Sequence, residues 1–463
     1  MFFPRPPSGL ATSTQGDTIL GLQKRQEAFL LFHIDNVAAF KRRLRHLVPQ
    51  LTTTAEVVRF AEDISSSRQR HPDKLITSVQ GLNVAFSALG LAKFGIDVAT
   101  TFLPDRAFRE GMQEDALQHL GDPRGMGGLT SWKDEYKGRH FDGILLLTAP
   151  TKPLLDKLVT KTFKGLSRSV TLVSRKDGQV RAPPYSGHEH FGFRDGVTRP
   201  TVLGFNDAHR PPGTAACTPS TFFLQPTPTE VEEGKKGWTR DGSFMVFREL
   251  QQKVPEFERF SQEVAKEKEI EPEVVAARMV GRWKNGVPLA LSPETAQGSL
   301  SSDVRLRDDF DYSADLQQEV WYVLRPSISS PSAMTNGGPE VTPEERFSGR
   351  TEHERGLLFV CYQASIEQGF QHIQANWLNS NHFPFNNAAE FFEPGQDLIA
   401  GQNATQKSGT RTAQGIVPGD PLLPTNTLSA PPFVVPRGGE YFFMPSISGV
   451  KYLANLDFEG LYR

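Results

Sequence analysis

The run Glu27-Ala28-Phe29-Leu30-Leu31-Phe32-His33-Ile34, with Asp35-Asn36 and then Val37 to Leu47 behind it, decides how the chain begins to fold. Its nearly unbroken apolar character reads as a buried strand. Asp35 then reads as a helix N-cap, because a short side-chain oxygen at that place accepts from one of the first free backbone N–H groups. Val37, Phe40, Leu44 and Leu47 recur at helical spacing and put one apolar stripe on that helix.

Further along, Ser78 to Ser87 reads as a strand running into a short helix, Phe141 to Ala149 as a buried strand, Pro153 to Phe163 as a helix and Ser169 to Val173 as a strand. The order is β-α-β-β-α-β with long insertions, which predicts an α+β arrangement of helices packed on a sheet. The second half repeats it less clearly. Gly242 to Leu250 is strand into helix, Glu273 to Arg282 and Phe370 to Trp377 are helical, Gly356 to Ser365 is a strongly apolar strand, and Glu440 to Phe443 opens a last strand. Gly401 to Pro432, rich in Gly, Pro, Thr and Ser, is expected as a long surface loop.

With 463 residues the chain exceeds one ordinary core, so two domains are expected. Hydrophobic residues at 38% against 22% charged exclude wholesale disorder. A net charge of −2 without a long basic run argues against capture of nucleic acid or of an anionic membrane. Cys217 and Cys361 are the only cysteines, too few for a disulfide framework and without C-x-x-C spacing. No segment approaches the ~20 apolar residues of a membrane span. Met1 to Gly21 lacks the apolar stretch of a secretory signal, so a cytoplasmic or unconventionally secreted protein is expected, with an extracellular one as the alternative. The sequon at Asn403-Ala404-Thr405 is weak evidence for glycosylation.

One segment concentrates glycines and titratable groups: Gly187-His188-Glu189-His190-Phe191-Gly192-Phe193-Arg194-Asp195-Gly196-Val197-Thr198-Arg199-Pro200. On spacing alone it reads as a turn, since Asp-Gly followed by Pro is common turn chemistry. However, Gly192-Phe193-Arg194-Asp195-Gly196 resembles the G-x-x-D-G signature of dye-decolourising peroxidases, and the His188 to Phe191 lead-in resembles fungal members. Further blocks in matching order resemble the same family: Gln15-Gly16-Asp17, Gly21-Leu22, Lys24-Arg25, Phe32 to Asn36, Trp238 through Phe244, Val254 to Phe257, Ala277 to Trp283, Glu354 to Gln363 and Arg437 to Phe443. Together they cover most of residues 14 to 455.

The resemblance implies an α+β fold of two ferredoxin-like domains, antiparallel sheets with packed helices, as in a dimeric α+β barrel. A disordered start at 1–14, an N-terminal domain at 15–200 and a haem-binding C-terminal domain at 201–463 follow. It implies a haem-dependent peroxidase that reduces hydrogen peroxide and oxidises dyes, phenols or other aromatic reductants by one-electron steps, with one non-covalent haem b per chain. Asp195 carries over as the catalytic base, since a carboxylate over the haem can take a proton from peroxide and return it to the departing oxygen. Gly192, Phe193, Arg194 and Gly196 carry over as cofactor contacts, the glycines allowing close backbone approach. Leu357 and Phe359 match the apolar lining of the peroxide side, although buried strand packing alone would also explain them. Trp377 and Tyr362 are candidate electron relays, and a homo-oligomer is left open.

The sequence departs from the family between two flanks that it keeps, Asp308 to Ser313 and Gly338 to Thr342. The family's iron-ligating histidine and its distal arginine belong in that interval, Leu316 to Gly337. No histidine occurs between His209 and His353, and Arg325, followed by Pro326, is the only arginine of the interval. His353, His372 and His382 read as surface or packing residues, so the metal ligand is unassigned. Trp321 to Ser330 reads as a frame error. A second reading follows from the gap: a non-catalytic or impaired descendant that binds haem weakly or not at all.

Overall fold

The apolar run at the start of the chain is a strand because both of its edges are paired. In the computed structural model, which describes residues 8–22, 25–70, 79–102, 105–126, 128–197, 201–205, 216–227, 237–289, 292–293, 334–336, 338–383, 395–404, 409–416 and 427–456, strand β1 spans Gln26–Ile34. Helix α1, Val37–Leu47, follows and buries Phe40, Leu44 and Leu47. Its N-cap is Asn36 rather than Asp35: the Asn36 side chain accepts from Ala39 N at 2.8 Å. Asp35 is still tied to the sheet edge, its N–H donating to Ser169 O at 2.9 Å and its carboxylate accepting from the Thr171 hydroxyl at 2.8 Å.

Strand β2 is Gly81–Phe86 and helix α2 is Met112–Gln118. Strand β3 is Gly143–Ala149, helix α3 is Lys152–Leu166 and strand β4 is Val170–Gln179. All pair antiparallel in the order β4-β1-β3-β2. The second half repeats that order. Strand β5 (Ser243–Gln252), helices α4 (Val254–Lys268) and α5 (Pro272–Val280), and strands β6 (Met334–Thr335), β7 (Gly356–Gln363) and β8 (Val434–Met444) give β8-β5-β7-β6. These are the two ferredoxin-like units expected, and they close on each other. Phe86 of β2 pairs with Phe443 of β8, and Thr335 of β6 with Gln179 of β4, so eight strands form a barrel without a free edge.

Side-chain parity then sorts the barrel into inside and outside. Phe29 of β1 meets Phe247 of β5 across the interior at 5.0 Å between ring centres. Val360 lies opposite Phe247 in register, so Leu358, Val360 and Tyr362 point inward and Leu357, Phe359 and Cys361 outward. Lys176, opposite Phe29, also points inward and pairs with Glu249 at 2.9 Å, which accepts from the Tyr136 hydroxyl at 3.0 Å and from Lys133. The buried ions are thus paired, as burial demands. Outside the sheet of the second half, α4 and α5 enclose a separate core of Phe257, Val264, Val275, Met279 and Phe433.

Four sequence expectations need correction. The strand from Gly242 does not turn helical at Leu250 but continues to Gln252, held by β7 and β8 on its two sides. The helix expected to reach Arg282 stops at Val280, because Gly281, at φ 83°, ends it in a left-handed cap. The start expected to be disordered holds a helix at Ser8–Ser13, pinned by the Ser13 hydroxyl to Asp241 Oδ2 at 2.9 Å and by Thr14 to Thr54 at 2.7 Å. Residues 401–432 are not only loop, since Arg411–Ala413 pairs with Leu428–Ala430 and Ala413, Leu428 and Ala430 reach the second core. Residues 301–333, which include Arg325, Pro326 and Trp321 to Ser330, lie outside the described residues.

Candidate active site

The loop that carries Asp195 is held by its own glutamate. Glu189 is half-buried, and its carboxylate accepts from Phe191 N and Phe193 N, each at 2.8 Å, and from Gln252 Nε2 at 2.5 Å. Burial, and next to it the charge of Asp195, push the Glu189 carboxyl above its ordinary range although these three donors pull the other way. Arg181 Nη1 grips Glu189 O at 2.6 Å while its Nε donates to Glu340 Oε1 at 2.9 Å. Phe191 and Phe193 turn into the second core, with ring centres 4.7 and 6.3 Å from Phe257. Between them Gly192 takes φ 95°, and Gly196 takes φ 68°, positions strained for residues with a Cβ.

Asp195 sits half-buried on this frame. Its N–H donates to Gly187 O at 2.8 Å and its Oδ1 accepts from Gly196 N at 2.7 Å, which fixes the carboxylate beside the chain turn. Arg194 is exposed, its N–H bonded to Lys284 O at 3.0 Å. The anchor Gln252 is one residue beyond Gln251, the register partner of Gly356, so the loop docks at the end of β7 where Leu357 begins. Leu357 and Phe359 face outward from the barrel and are half-buried, whereas the inward Leu358 and Val360 are fully packed. Leu250, opposite Leu357, packs on the same core as Phe193. The loop of Asp195 is therefore anchored beside the end of β7 that carries Leu357, and Phe359 follows two residues on along the same face.

Sequence reasoning did not separate His190 from His188. His188 is partly exposed, but His190 is 5% exposed, and its Nε2 has no hydrogen-bond partner among the described residues. Burial, and then the charge of Arg181, lower its pKa to about 4, against a smaller opposing pull from Glu340. Arg355 is also buried, donating to Glu345 Oε2 at 2.6 Å and to Pro339 O at 2.9 Å. Against the cost of burial, the bond from Arg355 and those from backbone N–H groups hold Glu345 down at about 2.

Among the described residues, one set suits the lining of a haem. It comprises Asp195, the glycines beside it and the outward Leu357 and Phe359, the residues that the resemblance assigns to the peroxide side. No group of three or more His, Cys, Asp or Glu able to hold a metal occurs among the described residues. His353 is exposed and 3.7 Å from Glu345 Oε1, and the exposed His372 accepts or donates to Asn376 at 2.9 Å. Of the two relay candidates, Tyr362 points into the barrel and donates to Asp17 Oδ2 at 2.7 Å. Trp377 is half-buried and stacks on Phe383 at 4.8 Å.

Residues 13–182 match the family model of the DyP dimeric alpha+beta barrel domain. Peroxidase 2 of Mycetinis scorodonius is 32% identical over 95% of this chain and 86% of its own length. The chain belongs to the dye-decolourising peroxidase family. A variant of the dye-decolorizing peroxidase from Pleurotus ostreatus superposes with a TM-score of 0.82 at 30% identity, covering 96% of this chain and 99% of that one. A dye-decolorizing peroxidase in complex with 2,6-dimethoxyphenol superposes with a TM-score of 0.79 at 31% identity over the same shares. As a dye-decolourising peroxidase, this chain is an oxidoreductase acting on peroxide in a haem-dependent family.

Proposed function

We propose that the chain reduces hydrogen peroxide and oxidises phenols and dyes one electron at a time, with one non-covalent haem b per chain. What carries the reading is Asp195, a half-buried carboxylate on a loop pinned through Glu189 and Gln252 to the corner where Leu357 and Phe359 face outward. The phenol seen with a relative of the same fold supports the substrate class. Haem supplies the redox-active iron when bound. The chain's own part is proton handling: Asp195 takes the proton of the attacking peroxide and returns it to the departing oxygen. Leu357 and Phe359 keep that transfer dry, which strengthens every charge interaction around it. Arg181 and Arg355, the buried cations of this corner, are ion-paired to Glu340 and Glu345.

The absent histidine between His209 and His353 favours the second reading, an impaired haem binder, while the match over 95% of the chain favours the first. An absorbance spectrum of the protein with added haem, before and after peroxide, decides between them, since the axial ligand sets the electronic state of the iron. A sharp histidine-type Soret band that shifts with peroxide is expected. A broad band like that of free haem, unmoved by peroxide, overturns the peroxidase reading for this chain. A homo-oligomer is part of the proposal, and light scattering at the monomer mass counts against it.

A further inference from the structure

Three buried tyrosines donate to buried carboxylates: Tyr136 to Glu249, Tyr362 to Asp17 and Tyr441 to Asp115. The first two belong to the barrel interior. Tyr441 differs, because it lies opposite Val246, and Val246 opposite Cys361, on the outward face that also carries Phe359. Two strand spacings, about 10 Å, separate its strand from β7. The gap is filled with rings. Phe370 sits 6.3 Å from Tyr441 and 6.0 Å from Phe359 between centres. Phe370 lies in a π-helical turn, Glu367–Gln371, and the guanidinium of Arg248 is 5.7 Å from its ring centre.

The other side of Tyr441 leads to solvent. Its hydroxyl donates to Asp115 Oδ2 at 2.5 Å, Asp115 Oδ1 accepts from Gln371 Nε2 at 2.5 Å, and His119 Nδ1 stands 2.9 Å from the same oxygen. Tyr441 and Asp115 are buried, whereas the His119 side chain is 38% exposed. Arg248 and Asp122, paired with each other, are the further charges that act on Tyr441. A phenol shut away from water can be oxidised only if a base takes its proton as the electron leaves, and Asp115 is that base by position.

We propose that Tyr441 is a buried redox relay of this peroxidase, with Asp115 as its proton acceptor and His119 as the link to solvent. The inference rests on the peroxidase reading for its natural oxidant. One electron leaves Tyr441 towards the peroxide-oxidised site by way of Phe370 and Phe359. The O–H bond breaks, the proton passes to the Asp115 carboxylate, and a neutral phenoxyl radical and a carboxylic acid remain. An electron from an aromatic reductant at the surface restores the phenol, and the proton returns from Asp115. Burial, and then the charge of Asp115, hold the phenol pKa well above its ordinary value, so Tyr441 stays a neutral phenol until oxidised. Tyr362, with an equally buried carboxylate, faces the barrel interior instead.

Electron paramagnetic resonance after two oxidants tests it: peroxide on the haem-loaded protein, and a photogenerated ruthenium(III) complex on the same protein without peroxide. A tyrosyl signal with an exchangeable hydrogen-bond coupling is expected, lost in Tyr441→Phe, kept in Tyr362→Phe and reduced at least tenfold in Asp115→Asn. Asp115→Asn retains the tyrosine and the side-chain volume, so it tests the proton step even where Tyr441→Phe disturbs packing. A signal unchanged in Tyr441→Phe, or equally strong in Asp115→Asn, overturns the relay. A Tyr441 signal with ruthenium but none with peroxide supports the relay and counts against the peroxidase reading.

Discussion

Replacing His190 with Asn should flatten the acid side of the stability profile by a calculable amount. His190 titrates at about 4 in the folded protein against an ordinary value of 6.5. Between those values the unfolded chain holds a proton that the folded chain refuses, so wild-type stability must rise with pH through this window. A gap of about 2.5 units at about 1.4 kcal/mol per unit comes to about 3.5 kcal/mol in full, of which about 3 kcal/mol falls between pH 7 and 4. The contribution is complete above about pH 6.5 and lost as the pH falls towards 4. Glu345, held at about 2, acts in a lower window and is common to both proteins. Urea unfolding at several pH values between 4 and 7 therefore isolates the histidine as a difference of slopes. Wild type should lose about 3 kcal/mol more than His190→Asn across that range. Parallel profiles for the two proteins would refute the argument, because they would mean that His190 finds a proton in the folded state.

Three further outcomes follow from the same corner. Asp195→Asn should lower kcat/KM for peroxide by about 10²- to 10⁴-fold, the usual worth of a positioned base, with the melting temperature unchanged; undiminished turnover removes Asp195 from the mechanism. Glu189→Ala strands the N–H groups of Phe191 and Phe193 and the amide of Gln252, and at about 1–3 kcal/mol for each buried donor it should cost at least about 3 kcal/mol in urea unfolding. A loss below about 1 kcal/mol would show that the loop is held by its phenylalanines and by the bonds to its backbone instead. Gly356→Ala places a methyl 1.8 Å from Leu250 O in the neighbouring strand, so it should destabilise by about 1–3 kcal/mol or more and displace Leu357; a variant as stable as wild type would contradict the register described.

The strand and helix order of the first half was legible because its apolar runs are long and its helix stripe is regular: Phe29 to Phe32, and Phe40, Leu44 and Leu47. Barrel closure was not legible, since it rests on contacts as slight as Thr335 with Gln179, which no local pattern announces. The buried pair at Arg411–Ala413 and Leu428–Ala430 hid within Gly- and Pro-rich sequence because Ala413, Leu428 and Ala430 are the only apolar residues of two three-residue strands. At the site, the glycines around Asp195 were readable as a turn, and the structure shows why that reading is compatible with a function: the turn fixes the carboxylate. Glu189 and His190 were unreadable, because their importance lies in burial, and an exposed Glu-His pair would be spelled the same way.

The uniform hydrophobicity of Gly356 to Cys361, which left core packing and pocket lining equally good accounts of Leu357 and Phe359, is itself a consequence of the architecture. A strand in a closed barrel with helices outside must be apolar on both faces. On β7 the two faces have different fates: Leu358, Val360 and Tyr362 complete the interior with Phe29 and Phe247, and Leu357 and Phe359 meet Leu250 and Phe370. A shift of one residue in register would exchange these sets and put Leu358 or Val360 in place of Phe359. The register is secured at Gly356, where a methyl would strike Leu250 O at 1.8 Å, so only glycine permits the strands to meet there. The same pairing that fills the barrel therefore chooses which side chains face outward beside the Asp195 loop, and it places Tyr441 on that side of the sheet while Tyr362 is kept within.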